Sequence, residues 1–140
     1  MYTALDLAKY IVSKCISDNC AINNITLQKL LFYIQKNFLS RDKYAFFDEF
    51  EAWGFGPAVP NVYYHFGGYG GMAITDNFDK ITAPPEDKNI IDQIIEEKRQ
   101  LAFWETAAEI CQKDKAWDLV YDDGKGNRRI IPTRLIKKEG

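Results

Sequence analysis

Leu27-Gln28-Lys29-Leu30-Leu31-Phe32-Tyr33-Ile34-Gln35-Lys36-Asn37-Phe38 decides the fold class. Leu27, Leu30, Leu31, Ile34 and Phe38 recur three and four residues apart, which gathers them on one face of an α-helix. Gln28, Lys29, Gln35 and Lys36 fall on the opposite side and are expected to face water. Asn24 or Thr26 can cap the start. Upstream, Thr3-x-x-Asp6 is a capping-box-like opening for a first helix. Its stripe is Leu5, Ala8, Ile11, Val12, Cys15 and Ile16. Residues 17–24, rich in Asn and Asp, read as the loop between the two helices. That loop is about twice the 3–4 residues of a helix-turn-helix, which weakens a DNA-reading interpretation.

Downstream the pattern changes. Tyr44, Phe46, Phe47, Phe50, Ala52, Trp53 and Phe55 crowd together with Asp48, Glu49 and Glu51. Partial alternation there permits a small β-hairpin or extended segment around 44–59. Gly54-Phe55-Gly56-Pro57 breaks regular structure. Pro60 suits the first turn of a third helix, carrying Val62, Tyr63 and Phe66 and stopping at Gly67-Gly68. Residues 75–88 read as a mobile connection in which Pro84-Pro85 excludes helix. Asn89 is expected to cap the next helix, with Ile90, Ile91, Ile94, Ile95 and Leu101 buried. Trp104, Ala107, Ala108 and Cys111 form the stripe of another. After a turn-rich break at 122–127, residues 125–140 form a basic tail or short helix. The expectation is a mainly α, compact, single domain.

The composition agrees with that. A chain of 140 residues with 46% hydrophobic and 14% aromatic content can bury one core. The longest unbroken apolar run is far short of the roughly 20 residues a spanning helix needs, so no membrane segment is expected. No basic flank precedes an apolar N-terminal run, and an odd count of three cysteines suits a reducing compartment, so a cytoplasmic protein is expected. The net charge of −2 hides an asymmetry: residues 125–140 carry +5 and the remainder −7. A body at −7 would repel a phosphate backbone, so nucleic acid is not the expected partner.

Catalytic chemistry finds little support. His65 is the only histidine and has no Ser or Cys motif to partner it, so it reads as a packing or surface residue. Gly67-Gly68-Tyr69-Gly70-Gly71 lacks the Lys-Ser/Thr of a P-loop and the spacing of a Rossmann fingerprint. Cys15, Cys20, Cys111 and His65 match the inventory of a structural zinc site, yet their spacing is loose, and the cysteines read as small buried hydrophobes. Asp48, Glu49 and Glu51 read as a solvated rim. No enzyme, metal or cofactor is expected. Aromatic and arginine enrichment is the composition of protein-interface hot spots.

One pattern sharpens this. NITLQKLLFY at 24–33, followed by FEAWGFGPAVPNVY at 50–63, resembles the Panacea antitoxin domain, the SocA-like family, also known as phage-associated GepA-like proteins. Its hallmarks are an LQKLLYY helix and an EAWxxGPVxPxVY segment. Ala116-Trp117 resembles its later PW. Ala58 stands for the usual Val, Phe32 for Tyr, and Ile110-Cys111 where the family has TH. The resemblance implies a module that neutralises a cognate toxin by direct contact, or an adaptor that delivers the toxin to a cytoplasmic AAA+ protease. Leu27, Lys29, Leu30, Leu31, Trp53, Gly56, Pro57 and Pro60 then carry structural motif roles, with Trp53 and Pro57 setting the bend before the third helix. Phe55, Tyr63, Tyr64, Tyr69, Arg128 and Arg129 are the candidate partner contacts. The alternatives are a nucleic-acid-binding regulator using the basic end, and a phage-encoded protein repurposed against host defence. Homo-oligomerisation is left open.

Overall fold

The computed structural model describes residues 2–76 and 85–140. The protein is mainly helical. Its elements in chain order are α1 (Ala4–Ser17), α2 (Asn24–Ser40), β1 (Phe50–Trp53), β2 (Gly56–Ala58), α3 (Pro60–His65), α4 (Pro85–Lys98), α5 (Phe103–Ile110), α6 (Ala116–Tyr121), β3 (Ile130–Ile131) and α7 (Thr133–Glu139). The cap of α1 is Thr3, whose hydroxyl accepts from the Asp6 amide at 3.0 Å. Asp48 adds a second cap, accepting from the Ala4 amide at 2.9 Å. One of the three rim carboxylates thus satisfies a helix-start donor that α1 itself leaves unpaired. For α2 the cap is Asn23, one residue before the expected Asn24, and its side chain accepts from the Thr26 amide at 2.9 Å.

The central finding is that α2 has no solvent face over its middle. Every residue from Leu27 to Gln35 is buried, because α1, α3, α4, α7 and β2 surround the helix. The expected outward face of Gln28, Lys29 and Gln35 is therefore corrected; only Lys36 keeps partial exposure. The reason lies in the irregular chain that wraps the helix. Backbone polar groups buried without secondary structure must find side-chain partners. The Gln35 amide accepts from the Ala45 N–H at 2.8 Å and donates to the Phe46 carbonyl at 2.7 Å. Gln28 accepts from the Val59 N–H at 2.8 Å and donates to Asn24 Oδ1 at 3.2 Å. Asn24 in turn donates to the Tyr63 carbonyl at 2.9 Å. Three buried amides thus serve backbone groups of residues 45–63 that lie outside the β1–β2 ladder.

Around this axis, Phe32, Phe46 and Phe50 pack edge-on or tilted with centroids 5.3 and 5.8 Å apart. Each is fully buried, worth about 1.5–3 kcal/mol in removed apolar surface. The small sheet has the order β2-β1-β3 and is antiparallel throughout. Pairing of β3 with β1 goes beyond the sequence expectation, since Ile130-Ile131 is too short to read as a strand. Pro57 occupies the edge strand β2, where its missing N–H leaves no ladder gap. Pro60 opens α3 at a position that lacks an intrahelical donor partner anyway.

Further corrections concern the second half. Pro85 does not exclude helix; it begins α4, so Asn89 lies inside that helix rather than capping it. The rest of the expected 75–88 connection, from 77 to 84, lies outside the described residues. Ile91 and Ile95 are buried, with Ile90 and Ile94 packed partly against the core, whereas Leu101 lies beyond the end of α4. In α5 the stripe is rotated. Trp104 is 74% exposed, and Thr106 and Ile110 point inward. The chain turns at 99–102, so α5 starts a new helical phase that periodicity carried over from α4 cannot give. The basic segment 125–140 is structured as β3 and α7, with Ile131 and Ile136 buried.

Candidate partner-binding surface

Trp53 ends β1 and is buried, with its neighbours supplied by three separate elements. Phe55 comes from the β1–β2 turn and Tyr63 and Tyr64 from α3. Ring centroids lie 5.9, 5.0 and 5.8 Å from Trp53 respectively. Phe55 and Tyr63 stack at 5.6 Å. The Arg128 guanidinium lies over the Trp53 ring at 4.5 Å and donates to the Tyr64 hydroxyl at 2.8 Å. Tyr64 is 59% exposed, so the cluster has a buried base and a solvent-facing rim. Trp53 is held from below: its carbonyl accepts from Trp117 Nε1 at 2.7 Å, and its own indole N–H donates to Glu51 at 2.9 Å. Trp117 stacks on Tyr121 at 4.6 Å.

The arginine reaches Trp53 because of a tight loop. Asp122, Asp123, Gly124 and Arg128 all have positive φ, so the chain doubles back within seven residues. Gly126 makes this possible: a Cβ there would lie 1.7 Å from the Val120 carbonyl oxygen. The returning strand then pairs beyond β3, with the Arg128 N–H donating to the Ala52 carbonyl at 2.7 Å and the Ala52 N–H to the Arg129 carbonyl at 2.8 Å. The ladder places Arg128 beside Trp53.

The structure therefore brings together Phe55, Tyr63, Tyr64 and Arg128. It places the other two candidates elsewhere. Tyr69 lies in the turn after α3, where the Asp76 carboxylate bonded to its hydroxyl raises the phenol above its usual range. Arg129 lines a separate hollow with Lys125, Ile130 and Pro132. Of the motif residues, Leu27, Leu30 and Leu31 are core, and Lys29 is buried. Gly56, at φ 132°, sits where a side chain would press on Cys111 Sγ at 3.4 Å. Trp53, read from sequence as a bend-former, is also the centre of the cluster. The bracing Trp117 was legible only as a motif letter, and no local signal told that it sits under residue 53.

Among the described residues no three of His, Cys, Asp and Glu gather as metal ligands. Cys15, Cys20 and Cys111 are free thiols, and His65 packs edge-on against Phe66 at 4.8 Å. No helix among them is long and apolar enough to cross a membrane.

Residues 27–118 match the family described as antitoxin SocA-like, Panacea domain, a span that holds the central helix, the sheet hairpin and Trp117. The chain belongs to that family. A curated relative, Antitoxin SocA of Caulobacter vibrioides (strain NA1000 / CB15N), is 26% identical over 145 aligned positions, covering 94% of this chain and 77% of the relative. No solved structure matches this chain significantly. The Panacea match ends before Arg128, so the residue that caps the cluster lies outside the matched span.

Proposed function

We propose that this Panacea-domain protein is an antitoxin that neutralises a cognate toxin by direct contact, and that the Trp53–Phe55–Tyr63–Tyr64–Arg128 cluster is the contact surface. The observation that carries the reading is the geometry of that cluster. Trp, Tyr and Arg dominate binding hot spots when they are pre-ordered around a desolvated centre. Here Arg128 and Tyr64 are already fixed by one hydrogen bond and one cation–π contact, so little side-chain freedom is left to lose on binding. Antitoxin family membership supports the same reading. The role is binding rather than catalysis, in a protein working away from membranes in the cytoplasm. Delivery of the bound toxin to a AAA+ protease would use the same contact followed by a second partner.

The basic end does not favour a nucleic-acid regulator. Arg128 is engaged by Trp53 and Tyr64, and Lys137 is paired with Asp42, so part of the charge is already neutralised or covered. The test is co-purification from cells co-expressing the flanking genes, followed by titration of the captured partner. Tyr64→Ala and Arg128→Ala are each expected to weaken binding by about 2 kcal/mol or more, roughly thirtyfold, without unfolding the domain. Unchanged affinity in both variants would move the contact surface elsewhere. Capture of nucleic acid in place of a protein would favour the regulator.

A further inference from the structure

A cavity of about 230 Å³ lies between the N-terminal half of α2 and the turn joining α4 to α5. Ile25, Leu30, Leu101 and Phe103 give it an apolar side, and Asn23, Thr26, Lys29, Tyr33, Lys98 and Thr106 supply polar groups. Lys29 is 3% exposed. Its ammonium donates to Thr106 Oγ1 at 2.9 Å and lies 4.3 Å from the centre of the Phe103 ring. Thr106 donates its own proton to the Phe103 carbonyl, so it presents a lone pair to the lysine. An ammonium has three N–H donors, and two of these meet no acceptor among the described residues.

None of the ion pairs among the described residues includes Lys29. The other cation at the cavity, Lys98, is neutralised by Glu109 at 3.1 Å and lies over the Tyr33 ring at 4.7 Å. The cavity therefore carries one uncompensated positive charge. A buried, unpaired ammonium is disfavoured, and burial indeed lowers the proton affinity of Lys29. A methionine of similar shape would fill the space without that penalty. What the amine adds is a cation with spare hydrogen-bond donors at the edge of a cavity of mixed polar and apolar lining.

We propose that this cavity binds a small aliphatic monocarboxylate, its carboxylate accepting from Lys29 and its hydrocarbon body lying against Ile25, Leu30, Leu101 and Phe103. One uncompensated cation matches a single negative charge and leaves the further charge of a phosphate unbalanced. The volume equals about eight waters, room for a body of roughly four to seven non-hydrogen atoms. The site is independent of the aromatic cluster, and neither stands or falls with the other.

The experiment is a titration of the full chain with sodium butyrate at constant ionic strength, with n-butanol and inorganic phosphate as parallel probes. Amide shifts in the NMR spectrum report the location. Saturable butyrate binding is expected with a dissociation constant on the order of 1 mM, its shifts concentrated at residues 25–33 and 101–106. Butanol and phosphate are each expected to bind at least about tenfold more weakly. Lys29→Met should abolish butyrate binding, whereas Lys36→Met, on the same helix outside the cavity, should keep it. Should Lys29→Met not fold, Leu101→Glu supplies an internal carboxylate and is expected to block butyrate while raising the melting temperature. Absence of saturable butyrate binding, equal binding of butanol, tighter binding of phosphate, or full binding by folded Lys29→Met or by Leu101→Glu would overturn the proposal.

Discussion

Replacing Gln28 by leucine separates two descriptions of the central helix. A residue on a solvent face loses nothing by the change; surface substitutions stay within about ±0.5 kcal/mol. The structure predicts a different result. Gln28 is fully buried, its Oε1 is the acceptor for the Val59 N–H at 2.8 Å, and its Nε2 serves Asn24 Oδ1 at 3.2 Å. Leucine fills a similar volume but leaves the Val59 donor and the Asn24 acceptor without partners in a dry interior. Each such orphan costs about 1–3 kcal/mol. Partial relaxation of the Asn24 side chain, still tied to the Tyr63 carbonyl, reduces the second contribution. A loss of about 2–4 kcal/mol is expected, a large part of the roughly 5–15 kcal/mol that domains of this size possess. The melting temperature should fall by about 6–16 °C. Urea unfolding at fixed slope gives the free energy, and hydrogen exchange at the Val59 amide gives the location, since its protection should drop well beyond the global change. A loss below about 0.5 kcal/mol with Val59 still protected would refute the claim that buried amides on α2 hold the wrapping segment.

Three more outcomes follow from the same structure. Gly126→Ala drives a methyl to 1.7 Å from the Val120 carbonyl oxygen, so a loss of about 3 kcal/mol by chemical denaturation is expected, together with weakened partner binding as Arg128 moves off Trp53. On α5, Trp104→Ala should change stability by less than about 0.5 kcal/mol while Ile110→Ala costs about 2–5 kcal/mol; the reverse order would mean that the helix is rotated as its periodicity first suggests. The acid limb of stability is the third. The Arg99 guanidinium, with Lys14, holds the Asp18 carboxyl below its ordinary range, and the Tyr33 hydroxyl, with Lys98, does the same for Glu109. The unfolded chain therefore binds more protons than the folded one between the two sets of values. The stability these groups add is complete above about pH 5 and is lost as the pH falls through the folded values. Asp18→Asn with Glu109→Gln should flatten the slope of unfolding free energy below pH 5; an unchanged slope assigns acid denaturation to other carboxylates.

How much of this was legible in the sequence depends on whether a feature is local. The cap and stripe of α1, the start of α3 at Pro60 and the turn at Gly54-Phe55 are written within a few residues of where they act, because capping, proline geometry and helical spacing are short-range effects, whereas Gly56 and Pro57, expected to break regular structure, are drawn into β2 by pairing. The resemblance carried by LQKLL and EAWGFGP was likewise legible, since a family pattern is a property of order along the chain. The candidate surface was half legible. Phe55, Tyr63 and Tyr64 are close in sequence to Trp53, so the aromatic group was visible. Arg128 was visible only as a charge, and Arg129 and Tyr69 looked as eligible.

The sequence by itself determined a mainly helical domain with an aromatic-rich extended segment, because periodicity and turn chemistry act along the chain. Only the tertiary structure decided which faces are wet. An amphipathic pattern assumes one buried side, yet α2 is surrounded, and its Gln28 and Gln35 are inward because the wrapping segment needs partners for its backbone. Only the tertiary structure chose Arg128 over Arg129, since the left-handed turn at Arg128 sets its guanidinium over Trp53 while Arg129 lines a separate hollow. It alone set Lys29 in a cavity without a counter-charge, because that depends on α5, some 77 residues further along, arriving with a hydroxyl rather than a carboxylate. Contacts between distant residues are fixed by packing, and packing is not a property of any window of sequence.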